Sequence, residues 1–254
     1  MKMDNPVKVK LAAGSVVYGC FLPSISVIDV EILAVAGFDF VLLDGEHGPL
    51  SPESAYPMIL AAEARGMEPF VRVGQNDKQV ILKFLDIGVS GVMIPQVNNS
   101  TQATQAIEAT RYWPLGTRGL AGGRTFDWGL NRSAVEVVPD LNDRVLTMIQ
   151  FEHIDALDNL DAILDVPGLD VLFVGPNDLA QSMGYPGQPG HPEATAVGDQ
   201  VVARAHAKGI KLGTTAFTTD AARIAVDRGF SMIVPNSPGM LAIAARAFID
   251  SAPK

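Results

Sequence analysis

The sequence predicts a (β/α)8 TIM barrel, an α/β fold in which eight parallel strands alternate with helices around a closed core. Short apolar runs rich in β-branched residues alternate with amphipathic helical patterns, and polar residues gather directly after the apolar runs. A chain of 254 residues with 48% hydrophobic residues suits one such barrel, and no linker or low-complexity tract divides it. We therefore expect residues 1–254 to form a single domain.

Eight apolar runs of strand length follow one another along the chain, and several helical patterns lie between them. The predicted strands are 16–22, 38–43, 69–73, 91–94, 145–149, 171–174, 210–213 and 232–234. The main predicted helices are 51–64, 78–85, 101–110, 154–164 and 194–207. Capping residues support these boundaries: Ser51 precedes a proline at the first helical position, and Asp77 precedes the next helix.

Glycine recurs where a predicted helix gives way to a strand. It does so at Gly37, Gly88 and Gly229, which is the chemistry of the helix-to-strand loops in an α/β protein. A doubly wound open sheet has the same alternation and is the alternative fold. The barrel is favoured because the unusual polar residues all follow strands, at the face where barrels carry their catalytic groups.

Composition excludes several classes of partner. A net charge of −9 argues against a nucleic-acid surface, so we expect no nucleic-acid partner. The sequence shows neither a signal peptide nor an apolar run of about 18 residues, so we expect no membrane association. A single cysteine, Cys20, is typical of a reducing compartment, and we expect a cytoplasmic location.

Four carboxylates follow three of the predicted strands. Asp44 and Glu46 come after one strand, Glu152 after another and Asp178 after a third. Such a cluster repels itself unless a cation neutralises it, so a divalent metal is the simplest prediction. The four histidines have no His-x-x-x-His spacing and there is one cysteine, which disfavours structural zinc. Hard oxygen ligands indicate Mg²⁺, Mn²⁺ or a similar ion with positions open to water or substrate. Alternatively, Asp44 only caps a turn and His47 is a hydrogen-bonded loop residue.

Several fragments, taken in order, are similar to the HpcH/HpaI aldolase/citrate lyase family, including its 4-hydroxy-2-oxoheptanedioate aldolase-like members. They are residues 42–48 (LLDGEHG), 70–73 (FVRV), 84–88 (FLDIG), 111–119 (RYWPLGTRG), 150–152 (QFE) and 175–179 (GPNDL). The resemblance implies a class II aldolase dependent on Mg²⁺, Mn²⁺ or Co²⁺. Such an enzyme adds the enolate of pyruvate to an aldehyde and cleaves 4-hydroxy-2-oxo acids in reverse. The implied partners are small oxo-acids and aldehydes, together with copies of the same chain in a homo-hexamer.

The resemblance also implies roles for individual residues. Glu152 and Asp178 would be the metal ligands with Gln150 close by. His47 would transfer protons, supported by Asp86 of a neighbouring subunit. The remaining implied roles are Arg72 on the keto or enolate oxygen, Asp44 on the metal shell and its waters, Phe21 against the substrate, and the amides of Gly175, Pro176 (which lacks an N–H), Asn177 and Asp178 on the pyruvate carboxylate.

Physical chemistry supports these roles. A metal and a permanently cationic arginine stabilise negative charge on a ketone oxygen, and a histidine titrates near neutral pH. A Schiff-base mechanism would need a desolvated lysine at a strand end. The chain offers none, because Lys78 and Lys83 lie in a helical stretch, Lys208 in a turn and Lys211 at the opening of a strand.

Structural explanations remain open for several of these residues. Arg72 could be a buried ion-pair partner, Asp86 a helix cap and Phe21 a core residue. Structural roles are favoured for His153, His191 and His206. Arg118 or Arg124 could bind an acidic acceptor, because arginine suits bidentate carboxylate recognition. An apolar stripe at residues 240–249 could pack against a partner subunit or cover its own barrel.

Two departures from the family pattern affect the acceptor pocket. His153 follows Glu152 where many relatives have threonine, and residues 234–239 (VPNSPG) stand where relatives commonly have an aspartate. Three functions therefore compete: a pyruvate aldolase, a carbon–carbon lyase or synthase acting on a coenzyme A thioester or a citrate-like substrate, and a non-catalytic oxo-acid-binding or metal-binding protein. The shortness and acidity of the chain count against the second, and His47, Arg72 and Asp86 against the third.

Overall fold

A computed structural model describes residues 4–253 and has a closed barrel of eight parallel strands paired in chain order. The predicted (β/α)8 fold is therefore confirmed, and the open sheet is excluded. The strands are β1 Val17–Leu22, β2 Phe40–Asp44, β3 Glu68–Arg72, β4 Gly91–Ile94, β5 Leu146–Phe151, β6 Val171–Val174, β7 Lys211–Thr214 and β8 Met232–Ile233. All eight lie within two residues of the predicted runs at each end.

Helices surround the barrel, and the first of them closes its amino-terminal end. They are α1 Pro6–Ala12, α2 Val27–Ala36, α3 Pro52–Ala64, α4 Lys78–Asp86, α5 Ser100–Thr110, α6 Ala134–Arg144, α7 Leu160–Leu164, α8 Pro176–Ser182, α9 Pro192–Ala207, α10 Thr219–Asp227 and α11 Ser237–Ser251. The single helix predicted at 154–164 is wrong. A 3₁₀ turn, Ile154–Ala156, precedes α7, and the Asn159 side chain donates to the backbone oxygen of Asp155 and competes with a continuous helix.

Two apolar layers hold the barrel together. Side chains that alternate along the strands fill either the barrel interior, as Phe40, Phe70 and Phe173 do, or the layer between the sheet and the helices. Glycines make room for the interior rings, because a Cβ at Gly213 would lie 2.6 Å from the ring of Phe173. The strands are therefore held rigidly up to their carboxyl ends.

Helix α1 closes the amino-terminal end of the barrel. Val7 and Leu11 join the interior cluster, and the amide of Asn5 donates to the backbone oxygens of Ser90 and Arg144. Since this end is filled, the carboxyl ends of the strands form the open mouth where a site can be built.

Helix α11 begins against the barrel and is exposed over most of its length. None of its residues is buried, and Leu241 and Phe248 are 71% and 72% exposed. A groove of about 810 Å³, lined by residues such as Tyr18, Phe38 and Ile243, opens between α10 and α11. Of the apolar stripe predicted at 240–249, Met240 packs against the core of the barrel and residues 241–249 are exposed, so the stripe covers little of its own barrel. Among residues 4–253, no helix is long and apolar enough to cross a membrane.

Candidate active site

The turn after β2 places three of the predicted residues at the mouth of the barrel. The Oδ1 atom of Asp44 accepts the backbone N–H groups of Glu46 and His47, at 3.1 and 3.2 Å, and so ties the turn to the strand end. Gly48 allows the chain to pass close to the strand, because a Cβ there would lie 2.5 Å from the backbone oxygen of Asp44. Asp44 therefore does cap this turn, and the exposed His47 is held over the mouth.

Arg72, the last residue of β3, is fixed by two carboxylates. Its Nε and Nη2 atoms donate to the two carboxylate oxygens of Asp44 at 3.0 and 2.6 Å. Its Nη1 atom lies 3.0 Å from Oε2 of Glu46, an ion pair without hydrogen-bond geometry. Burial acts to raise the pKa of Asp44, but the hydrogen bonds and charge of Arg72 outweigh it and lower that pKa. Arg72 is thus a buried ion-pair partner and also a cavity residue.

Glu152 follows β5 directly and is nearly buried. Its Oε1 accepts the backbone N–H of Gln96 at 2.7 Å, and its Oε2 accepts Nε2 of Gln150 at 2.6 Å. Burial raises the pKa of Glu152 to about 7, and the charges of Glu46 and Asp178 add to the rise. The three carboxylates are therefore close enough to repel one another, as the sequence predicted.

Asp178 lies in the first turn of α8, directly after β6. Only part of the predicted amide cradle is available. The N–H of Gly175 donates to the backbone oxygen of Phe151 at 3.0 Å, and Pro176 has no N–H. Asn177 and Asp178 lie in the first turn, where amides have no intrahelical acceptor. These two residues are thus the amide donors left for an anion.

Two cavities meet at this mouth. The first, about 480 Å³, has a wall of Phe21, Phe173 and Phe217, with Asp44, Arg72, Gln150 and Asn177 among its other lining residues. The second, about 440 Å³, is lined by Glu46, Gln96, Asn98, Glu152, His153, Gln181 and Ser182. His47 and Asp178 line both cavities. These two side chains therefore stand where the contents of the cavities would meet.

The residues at this junction fit a divalent cation that substrate and water help to coordinate. The pKa of Glu152 is raised partly by the neighbouring carboxylates, and a positive charge placed among them would be stabilised. Oε1 of Gln150 is buried and has no hydrogen-bond partner within residues 4–253. Among the described residues, no three His, Cys, Asp or Glu side chains are arranged to hold a metal by themselves. A cation at this junction would therefore need water or substrate to complete its coordination.

Most of the predicted site residues line one of the two cavities. These residues are Phe21, Asp44, His47, Arg72, Gln150, Gly175, Pro176, Asn177 and Asp178 in the first cavity, and Glu152 in the second. Asp86 lines neither. It lies at the end of α4 and accepts a hydrogen bond from Arg118 at 2.9 Å, so its role at a neighbouring subunit's His47 stays a prediction.

The arginines proposed for an acidic acceptor and the other three histidines lie in varied surroundings. Arg124 pairs with Glu63, and neither Arg118 nor Arg124 lines the first or second cavity. His153 lines the second cavity and caps the following 3₁₀ turn. His191 stacks on Tyr185, and His206 hydrogen bonds to the backbone oxygen of Gly229.

Sequence reasoning missed several cavity residues. Gln96 holds Glu152 from a backbone φ of 56°, a left-handed conformation that costs non-glycine residues on the order of 1 kcal/mol. It lies two residues after the predicted strand 91–94, so a search for polar residues just after strands could have identified it. Thr215, Phe217 and Asn236, which follow β7 and β8, also line the first cavity.

Fold and site together define a (β/α)8-barrel enzyme with a carboxylate cluster and a histidine at its catalytic face. Residues 17–245 match the HpcH/HpaI aldolase/citrate lyase family, and the chain belongs to this family. It is therefore an enzyme, a carbon–carbon lyase of the aldolase type.

Individual relatives are similar over nearly the whole chain. The chain is 36% identical over 241 residues to the 2-keto-3-deoxy-L-rhamnonate aldolase of Escherichia coli K12, covering 94% of this chain and 89% of that protein. A solved HpcH/HpaI aldolase/citrate lyase family protein from Burkholderia cenocepacia J2315 superposes with a TM-score of 0.91 at 30% identity, covering 97% of this chain and 98% of that one. The citrate synthase SbnG gives 0.88 at 25% identity, covering 98% and 97%.

Proposed function

We propose that the protein is a divalent-metal-dependent pyruvate aldolase, which reversibly cleaves 4-hydroxy-2-oxo acids to pyruvate and an aldehyde. The observation that carries the proposal is that His47 and Asp178 stand between two cavities, one lined by Arg72 and the other by Glu152. An aldol reaction needs a proton acceptor and positive charge beside one ketone oxygen, with room for two substrates.

Glu152 and Asp178 would hold the metal ion, which we propose to be Mg²⁺, Mn²⁺ or Co²⁺. When bound, a divalent cation polarises a ketone oxygen and stabilises negative charge on it. Gln150 fixes one oxygen of Glu152, and the backbone of Gln96 fixes the other. These two hydrogen bonds hold the carboxylate in one orientation, so the ligand would need little rearrangement on binding.

His47 would accept and return the protons of the reaction. In the cleavage direction, it takes the proton of the C4 hydroxyl as the C3–C4 bond breaks. A proton then reaches C3 to give the methyl group of pyruvate. Its place between the two cavities supports this role, because both reacting carbons must lie near one base. Asp86 of a neighbouring chain would orient its ring, as the family resemblance implies.

Arg72 and the start of α8 would bind pyruvate. Arg72 donates two hydrogen bonds to Asp44 and forms an ion pair with Glu46, which together fix its plane, and its guanidinium lies 4.6 Å from the centre of the Phe21 ring. Its remaining donors would stabilise the developing oxyanion. The N–H groups of Asn177 and Asp178 would donate hydrogen bonds to the pyruvate carboxylate, while Asp44 would help order water at the metal.

Retro-aldol assays on 4-hydroxy-2-oxo acids test the proposal. EDTA should abolish pyruvate release, and Mg²⁺, Mn²⁺ or Co²⁺ should restore it. Asp178→Ala should lose activity and Mn²⁺ binding, measured by electron paramagnetic resonance, with an unchanged circular dichroism spectrum. Full activity of dialysed Asp178→Ala would refute the metal assignment. Faster turnover of acetyl-CoA with oxaloacetate than of any aldol substrate would favour the citrate-synthase-like alternative. The similarity to the citrate synthase SbnG is the reason for testing it.

We also propose that the active form is a homo-oligomer, a hexamer built from dimers. The exposed apolar residues of α11 support this, because Leu241, Phe248 and Ile249 would otherwise face water. The open groove beside α11 could accept the same helix of a second copy. Light scattering at micromolar concentration tests the idea, and a fully active monomer would refute both the oligomer and the role of Asp86 across subunits.

A further inference from the structure

We infer that a second small-molecule site lies behind the active site, in a cavity between α8, α9 and α10, and that it binds a short aliphatic monocarboxylate. This rear cavity has a volume of about 250 Å³. Its inner wall includes Val174 of β6 and Thr214 of β7, and its rim includes the exposed Ile224 of α10. The proposed aldolase reaction uses no group that is confined to this cavity, so the inference goes beyond that function.

The rear cavity is separate from the substrate cavity. Of the described residues, Pro176 and Thr215 line both the rear cavity and the first cavity of the active site. They stand where β6 and β7 end and form the partition between the two spaces. The proposed metal ligands and the proposed base do not line the rear cavity. A ligand held there would occupy its own volume rather than an extension of the substrate site.

Small side chains on two neighbouring helices leave this space unfilled. Ala194 and Gly198 lie one turn apart on α9, and Ala221 and Ala225 lie one turn apart on α10, so each pair presents one face to the cavity. A Cβ at Gly198 would have as its nearest neighbour Nη2 of Arg228, at 3.7 Å, which is ordinary contact. The helices therefore do not close the gap between them with their own side chains.

The interior of the rear cavity is mainly apolar. Leu179 of α8 and Phe230, which follows α10, are buried residues that line it. Apolar atoms around an unfilled space lose van der Waals contacts, and a ligand with an apolar body would restore them. Since a cavity of about 150 Å³ accepts benzene, the rear cavity has room for roughly eight to ten non-hydrogen atoms.

One cationic group lies at the edge of this apolar space. Of the described residues that line the rear cavity, Arg228 alone carries a charge. Its Nη2 pairs with Oδ1 of Asp199 at 2.5 Å, but the two side chains are 39% and 62% exposed, so water weakens the pair. The guanidinium has further N–H groups on Nε and Nη1. Thr195, which is one turn before Gly198 on α9, adds a hydroxyl group to the lining.

This combination selects the chemical class of the ligand. A carboxylate suits the planar donors of an arginine, and an aliphatic chain suits the apolar interior. A dianion would bring more negative charge than one guanidinium already paired with Asp199 can neutralise, and an ammonium group would be repelled by Arg228. A linear acid of about six carbons, such as hexanoate with its eight non-hydrogen atoms, fits the volume.

Equilibrium dialysis of the full chain with radiolabelled hexanoate tests the inference. Excess Mg²⁺ and pyruvate are present, so that hexanoate does not report the proposed metal site. We expect a Kd of about 0.1–1 mM, and displacement by hexan-1-ol or hexylamine at concentrations at least about tenfold higher than by unlabelled hexanoate. No binding at 10 mM hexanoate, or equal displacement by hexan-1-ol, would overturn the inference.

Filling the cavity from either wall should remove the site. Ala225→Leu and Gly198→Leu each add carbon atoms where the ligand would lie, and we expect hexanoate affinity to fall at least about tenfold in each variant that retains the parental circular dichroism spectrum. Ala196→Leu, on the exposed face of α9, is the matched control and should leave the Kd within about twofold. Parental affinity in a folded cavity-filling variant would place the bound hexanoate elsewhere and refute the rear site.

Replacing the arginine tests the recognition of charge. Arg228→Gln should weaken hexanoate binding by at least about fivefold and leave the weak binding of hexan-1-ol unchanged. Arg223→Gln is the control on the same helix, because Arg223 pairs with Asp220 at 3.0 Å on the surface and does not line the rear cavity. Equal affinities in Arg228→Gln and the parent protein would refute the role of Arg228. Dialysis measures binding without turnover, so these outcomes are independent of the proposed aldolase activity.

Discussion

Replacing Arg72 by methionine should destabilise the folded protein strongly, because two buried carboxylates would lose their common partner. The side chains of Arg72 and Asp44 are 9% and 5% exposed, and that of Glu46 is 13% exposed. Methionine is apolar and of similar length, so the change removes charge with little loss of volume. The variant also removes the cation proposed to stabilise the oxyanion, and activity should fall with stability.

The expected loss is about 3–5 kcal/mol in the free energy of unfolding, the range for removing one partner of a buried ion pair. For a chain of this length, this corresponds to a decrease in Tm of roughly 6–20 °C. A matched surface control is Arg65→Met. Arg65 pairs with Glu31 at 2.9 Å, but the two side chains are 49% and 43% exposed, so the pair is worth about 0–1 kcal/mol.

The loss should depend on pH. In the parent protein, the pKa of Asp44 is lower in the folded than in the unfolded chain. Its ion pair therefore stabilises the fold fully above the unfolded value near 3.9 and is lost as the pH falls through the folded value. Without Arg72, burial is the largest influence left and raises that pKa. In the variant, Asp44 then takes up a proton in the folded state as the pH falls. The loss in the free energy of unfolding relative to the parent protein should therefore become smaller from pH 7 to pH 4.

Urea unfolding followed by circular dichroism measures both effects. The experiments should contain EDTA, to remove any contribution from bound metal, and should use one fixed protein concentration because assembly also adds to stability. Losses equal for Arg72→Met and Arg65→Met would refute the assignment of a stabilising buried pair. A deficit that grows in acid would show that the electrostatic reasoning about Asp44 is wrong.

Four further outcomes follow from particular residues. His47→Ala should slow turnover and pyruvate deuterium exchange by roughly 10²-fold, whereas His206→Ala, on the surface, should leave both unchanged; exchange at the parental rate in His47→Ala would exclude it as the base. Burial raises the pKa of Cys20 to about 12, so its thiol should not react with a disulfide reagent at pH 8 until urea unfolds the chain, and rapid reaction in the folded protein would contradict this. Gly213→Ala should lower the free energy of unfolding by about 1–3 kcal/mol, because it forces a methyl group against the ring of Phe173. An unchanged free energy of unfolding in urea would contradict this. Phe248→Asp should shift the light-scattering mass toward smaller species, and an unchanged mass would exclude α11 from the interface.

The sequence by itself determined the architecture. Strands buried on both faces are continuous apolar runs, and glycine marks three of the returns from helix to strand, at Gly37, Gly88 and Gly229, where φ is positive. These are local signals, so all eight strands could be predicted. The position of Asp44, Glu152 and Asp178 just after strands also follows from sequence, because parallel strands all end at one face. The helix predicted at 154–164 failed because a side-chain hydrogen bond from Asn159 replaced a helical one.

Only the tertiary structure decided how the polar residues are partnered. No local pattern shows that Arg72 faces Asp44 and Glu46, that Arg118 is paired with Asp86, or that the N–H of Gly175 is already used. Each of these contacts joins residues that are distant in the chain, and its geometry depends on barrel closure. The same holds for Thr215 and Asn236, which line the first cavity because the last strands lie beside the first in the closed barrel. The local sequence therefore supplied the groups, while closure of the barrel decided which charges are neutralised and which hydrogen-bonding groups remain for a substrate.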